Sequence, residues 1–269
     1  MKEGAKMGFL DHLDEFRKRI LRILAVIMLL FVIFILVEAD TTQVLGLPVV
    51  YPTVNVFHPI AIQFFGKMEA DLVPEGVETA VMGPTDAILV EFKIALFLSI
   101  LFAMPVIVHQ MGRFLAPALR RREKRLLLQI SVPSALLFIT GAVFAYMFVL
   151  PFVYDFLYSI AFNLVDNTYL NPSEFVDFTL LFLFSFGLAF ELPIIMSGIT
   201  FLGVVDARFW RRNWRYSAVA IFIFGAVITP DGSGITMMMV SLPMLALYAL
   251  GYSLSVRMEK GGGKNGSGQ

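Results

Sequence analysis

Phe178–Leu202 runs for 25 residues with a single charge, Glu191, at the fourteenth position. As a helix rising about 1.5 Å per residue it reaches about 38 Å, enough to cross a hydrocarbon core of about 30 Å. Glu191 sits in Phe186-Gly187-Leu188-Ala189-Phe190-Glu191-Leu192-Pro193, near the midplane of that span. A carboxylate at such depth costs about 3 kcal/mol on insertion scales, so it belongs against a protein interior, a wet cavity or a partner. Pro193 removes a backbone donor two residues on and can kink the helix. The plain alternative for Glu191 is a protonated acid hydrogen-bonded to a neighbouring helix.

The rest of the chain obeys the same regime. Of 269 residues 58% are apolar, 27 are Phe and only 16% are charged, against about 25% charged in a soluble domain. The reading is an all-α polytopic membrane protein with one domain over residues 1–260. Residues 261–269, mostly Gly, read as a disordered or appended tail. Six spans can be drawn at about 20–37, 87–111, 126–150, 175–202, 214–229 and 235–255. All Lys and Arg except Lys67 and Lys93 fall before span one, between two and three, between four and five, after six, or at the adjoining span ends. The positive-inside rule then puts both termini in the cytoplasm, with Trp210 and Trp214 at that interface.

Several chemistries find no support. The chain has no Cys, so a disulfide framework or thiolate metal site is excluded. His12, His58 and His109 show no ligand spacing, and no Gly-rich phosphate loop appears. No cofactor, metal or nucleic-acid partner is expected.

Along the chain, Phe9, Leu13, Phe16 and Ile20 recur at helical spacing, giving an amphipathic helix that runs into span one. Its polar face holds Asp14–Lys18 and Glu15–Arg19 as i,i+4 pairs with the acid N-terminal. Residues 38–86 form a long, acidic external segment. Within it Val44–Val56, with Pro48 and Pro52, reads as extended or capping structure, and Pro59–Lys67 as a short interfacial helix. Thr85 or Asp86 is placed to cap span two. Glu123 stands among Arg120, Arg121, Arg122, Lys124 and Arg125, either as a neutralised surface acid or as a carboxylate framed to receive a guanidinium. Pro151 follows span three. Asn171-Pro172-Ser173-Glu174 is a capping-box variant opening span four. Span five, at 16 residues, is short for a bilayer.

Taken in order, four stretches resemble the TatC family of twin-arginine protein translocase subunits. They are His12-Leu13-Asp14-Glu15-Phe16-Arg17-Lys18-Arg19, then Phe114-Leu115-Ala116-Pro117-Ala118-Leu119 with Glu123-Lys124-Arg125, then Phe186 to Pro193, and Thr229-Pro230-Asp231. Phe16 stands where the family often has Leu, and segment 38–86 is longer than usual. The resemblance implies a concave, glove-like six-helix fold and a receptor that binds the Arg-Arg motif of signal peptides at the cytoplasmic face of the cell membrane. By position it implies Glu15 and Glu123 as the acidic contacts, with Arg17 and Phe114 nearby. Pro59, Glu191 and Asp231 would be partner-facing or intramembrane positions. It also implies TatA-type single-span partners, with a TatB-type partner and a homo-oligomer left open, and use of the proton-motive force.

A carboxylate takes a guanidinium through two parallel hydrogen bonds that a Lys ammonium cannot reproduce. Two other classes remain as alternatives. A proton-coupled solute transporter would use Glu191 as carrier, but spans one, three and six carry no charge near mid-depth. An intramembrane enzyme needs a Ser–His or paired-Asp constellation at depth, and no such pairing is visible.

Overall fold

The computed structural model describes residues 9–44, 47–55, 57–81, 83, 85–115, 121–163, 168–229 and 233–263, and they are mostly helical. The chain forms two compact units: residues 1–66 with 88–135, and residues 67–87 with 136–269. Among the described residues five helices are long and apolar enough to cross a membrane: Leu13–Leu36, Asp86–Phe114, Val132–Phe162, Pro172–Phe201 and Gly234–Glu259. The expected fifth span is the helix Trp214–Ile228, apolar but shorter.

In the first unit, α1 (Phe9–Leu36) packs along α3 (Asp86–Leu115). Phe16 meets Phe114 at 5.2 Å between ring centroids, Phe31 meets Phe92 at 5.8 Å and Phe34 meets Phe102 at 5.5 Å. Phe16, early in α1, meets the last turn of α3, while Phe31 and Phe34, late in α1, meet its earlier half and middle, so α1 and α3 run antiparallel. The external segment is a β-hairpin, β1 (Val37–Val44) against β2 (Leu47–Val54), followed by α2 (Ile60–Leu72), which starts with the helix expected over residues 59–67 and runs five residues further, into the second unit. The hairpin is fastened to the end of α1 by Asn55 N–H donating to Leu36 O at 3.0 Å.

Gln63 on α2 donates to Ala39 O at 3.3 Å, so that carbonyl points out of the ladder. Ala39 opposes Pro52 and Gln43 opposes Pro48. Both prolines therefore occupy non-hydrogen-bonded positions and forfeit no ladder bond. The sequence expectation of extended structure over 44–56 becomes a specific ribbon that starts seven residues earlier, at Val37.

In the second unit, β3 (Val77–Thr79) pairs in parallel with β4 (Thr168–Leu170). α4 (Arg121–Phe144), whose first part to residue 135 belongs to the first unit, passes through π-helical turns at Ala145–Val149 into α5 (Leu150–Phe162) without interruption. The expected end of span three at residue 150 is therefore corrected: the apolar span is Val132–Phe162 and Pro151 lies inside it. A proline lacks its N–H and clashes with the carbonyl four residues back, and a locally wider turn accommodates both.

α6 (Pro172–Phe190) starts at Asn171, whose side chain accepts from Ser173 N–H at 2.8 Å. α7 (Leu192–Phe201) continues α6 after a break at Glu191. α8 (Ala207–Arg212), α9 (Trp214–Ile228) and α10 (Gly234–Gly263) complete the unit. α10 carries the helix to Gly263, three residues into the predicted tail, and residues 264–269 lie outside the described set. Phe138, Phe175, Phe182, Phe186 and Met244 are fully buried and form the centre of the core. Tyr154 ties α5 to α6 through Thr179 Oγ1 at 2.8 Å.

Candidate functional site

The N-terminal turns of α1 and the last turns of α3 meet in the first unit. Phe16 packs on Phe114, and Arg19, on the polar face of α1, reaches Gln110 of α3. Glu15 then lies next to Arg19, one turn on. Arg19 Nε donates to Glu15 Oε1 at 3.1 Å, and a second guanidinium nitrogen contacts the same oxygen. Arg19 Nη1 also reaches Gln110 Oε1 on α3, at 3.4 Å. The i,i+4 pair expected from sequence is thus braced against a second helix. Its neighbour Lys18–Asp14 forms at 2.9 Å but is open to solvent.

The Glu15 carboxylate is only 20% exposed. Its second oxygen, Oε2, is buried and has no hydrogen-bond partner among the described residues. A buried acceptor left without a donor costs about 1–3 kcal/mol. The arrangement suits an incoming cation: Arg19 fixes one oxygen and leaves the other to accept. A planar guanidinium can also lie against the aromatic pair Phe16–Phe114.

The expected residues are distributed as follows. Glu15 and Phe114 are brought together. Arg17 is exposed and, two positions from Glu15, projects from a different face of α1. Glu123 falls in the first turn of α4, and its side chain lies outside the described residues. Pro59 is buried, immediately before α2, and its carbonyl accepts from Gln63 N–H at 3.0 Å. Asp231 lies outside the described residues. Sequence reasoning missed Gln110. The available signal was its position one turn before Phe114, as an amide next to His109 where the apolar run of α3 ends.

Glu191 occupies a site of its own in the second unit. It is 7% exposed and stands at the break between α6 and α7. Its N–H bonds back to Leu188 O at 3.1 Å and its carbonyl accepts from Ile195 N–H at 2.9 Å. Pro193 cannot supply the bond that Ala189 O would take in a continuous helix, and the Glu191 N–H turns to that carbonyl as well. The break expected at Pro193 is therefore realised two residues earlier. The flanking residues Leu188, Ala189 and Leu192 line a wholly apolar cleft of about 280 Å³ with Ile221, Phe224 and Met244.

Comparison with known proteins is consistent along nearly the whole chain. The family described as "Sec-independent protein translocase protein (TatC)" matches residues 11–243. The TatC of Cenarchaeum symbiosum is 41% identical over 256 residues, covering 95% of this chain and 97% of the relative. The TatC of Aquifex aeolicus is 36% identical over 175 residues, covering 65% and 72%. A crystal structure of a "Twin Arginine Translocase Receptor- TatC" superposes with a TM-score of 0.73 at 29% identity, covering 92% of this chain and 99% of that one.

Proposed function

The chain belongs to the TatC family, and on that premise we propose that it is the signal-receptor subunit of a Sec-independent protein translocase. The family makes it a membrane-embedded component of protein transport. The finer reading is that Glu15 and Glu123 receive the two guanidiniums of a twin-arginine signal peptide, with Phe114 and Arg17 bordering the site. The observation that carries it is the buried Oε2 of Glu15, without a hydrogen-bond partner among the described residues, beside an Arg-fixed Oε1 and an aromatic pair.

The same reading takes the six apolar helices as six spans, with α9 as a short fifth span and both termini in the cytoplasm. The distribution of Lys and Arg supports it. TatA-type subunits, and a TatB-type subunit where one exists, would meet the chain near Glu191, and Pro59 and Asp231 would belong to the outward, partner-facing edge. A buried carboxylate at a helix break is suited to gripping a polar group on a partner span.

The test is crosslinking of a signal peptide carrying Arg-Arg or Lys-Lys to sites in residues 9–22 and 113–125. Wild type should capture Arg-Arg in preference to Lys-Lys. Glu15→Ala and Glu123→Ala should each lower Arg-Arg capture, by about 2–5 kcal/mol if the contact is buried and less at a rim. The double variant should capture least. Wild-type yields in both single variants and in the double would remove these residues from the receptor site.

A further inference from the structure

Two clefts flank the junction between α8 and α9, of about 680 Å³ and about 750 Å³. Arg208 and Arg212 line the first, beside Asp206 and Phe209. Arg211, Arg212 and Arg215 line the second, beside Trp214 and Tyr216. Four guanidiniums thus stand between residues 208 and 215. Among the described residues no carboxylate lies within ion-pair distance of any of them. Glu259 reaches this loop, but one of its oxygens accepts from Ala207 N–H at 3.2 Å.

The scaffold under these charges is fixed. Trp210 Nε1 donates to Thr200 Oγ1 at 2.9 Å, and Tyr248 hydroxyl donates to Trp210 O at 2.7 Å. Trp210 therefore faces inward and pins the short helix, while Arg211, Arg212 and Arg215 are exposed. Arg215 lies over the Trp214 ring at 5.9 Å, which orients its guanidinium without consuming its N–H donors. Next to the charges the surface turns apolar. Tyr216, Val219, Ile223 and Val227 are exposed on one stripe of α9, about 16 Å long.

We propose that the α8–α9 junction is a binding site for an anionic phospholipid. The arginines take the phosphate headgroup, and an acyl chain lies along the apolar stripe of α9. Arginine forks match phosphate oxygens bidentately, and Trp and Tyr favour the headgroup level. Clustered like charges without carboxylate partners among the described residues call for an anion, and the adjoining stripe selects one that carries a hydrocarbon tail. A soluble phosphate satisfies only the first half of the site. The inference needs the chain to be a membrane protein and is independent of the receptor reading.

Trp210 and Trp214 are the only tryptophans, so Trp210→Phe leaves Trp214 as the sole indole reporter at the site. The protein is placed in nanodiscs of phosphatidylcholine with a minor fraction of phosphatidylglycerol, and brominated acyl chains are carried on one lipid or the other at equal amounts. Brominated phosphatidylglycerol should quench Trp214 about threefold more strongly than brominated phosphatidylcholine. Arg211→Gln, Arg212→Gln and Arg215→Gln together should erase the excess. Changing the same three residues to Lys should keep part of it, because charge remains while the fork is lost. A control with Lys18→Gln, Arg22→Gln and Arg113→Gln changes net charge equally and should keep the excess whole.

Phosphatidylglycerol retained in native mass spectra of the protein with both tryptophans gives a second reading should Trp210→Phe or the triple Gln variant fold poorly. No excess in wild type by either method would overturn the site. Equal loss in the control would reduce it to general charge attraction. Displacement by millimolar inorganic phosphate at constant ionic strength would reassign it to a soluble anion.

Discussion

Gly141 and Gly187 set how closely α4 approaches α6. A Cβ on Gly141 would meet Phe186 O at 2.5 Å and Phe190 Cγ at 2.8 Å, and one on Gly187 would meet the Phe138 ring at 2.7 Å. The carbonyl of Phe186 belongs to a helix and cannot swing aside. At Gly251 the first obstacle is Met196 Sδ at 2.6 Å, the end of a flexible side chain. Gly141→Ala is therefore expected to lower stability by about 1–3 kcal/mol, and Gly251→Ala by less, as read from unfolding in micelles. Equal losses would refute the distinction. Glu191 supplies the other residue-scale test. An amide keeps much of a carboxyl group's hydrogen-bonding capacity, and Ala keeps none. If Glu191 grips a partner span, Glu191→Gln should retain substantial export of a twin-arginine cargo, while Glu191→Ala should lose co-purification of the single-span subunit. Export failure in Gln with normal partner binding would instead indicate proton carriage.

At the scale of elements, α2 is tied to the π-helical turns by one acid. Asp71 accepts from the Tyr146 hydroxyl at 2.6 Å and pairs with Lys67 at 3.2 Å. The Tyr146 hydrogen bond, then the Lys67 hydrogen bond, hold its carboxyl below the usual value of 3.8. A group whose pKa is depressed by folding contributes stability above its unfolded pKa and loses it as pH falls through the folded one. Amide protection of α2, corrected for intrinsic exchange, should therefore decline only below pH 3.8 in wild type. Tyr146→Phe removes the largest cause and should lower protection above that pH while flattening the acid response. An unchanged profile would show that this tie does not hold α2. The widened turn that carries Tyr146 is also what lets one helix continue through Pro151.

For the molecule as a whole, orientation is decided by where the cations lie. The chain contains no Cys, so single introduced thiols report sidedness directly. Cys at Lys67 should react with an impermeant reagent added from outside. Cys at Arg121 or Arg211 should react only after the membrane is opened. The reverse pattern would invert the proposed topology and with it the proposed placement of the Glu15 site on the cytoplasmic face.

What the sequence determined by itself is local. Long apolar runs separated by cations specified the helices, since period and hydropathy are properties of neighbouring residues. Asn171 specified its own cap, and Glu15–Arg19 specified its own pair. Only the tertiary structure decided the rest. Nothing local in Val37–Val44 says that it pairs with Leu47–Val54 rather than extending α1, because strand pairing depends on which backbone groups find each other. The partners of Val77–Thr79 lie 91 positions away, in Thr168–Leu170. Pro151 reads as a stop in sequence, but the turns before it widen and the helix passes through. Gln110 joins the Glu15 site only because Phe16 packs on Phe114. That contact sets which oxygen of Glu15 is fixed and which stays free to accept, a choice made by packing between helices distant in the chain.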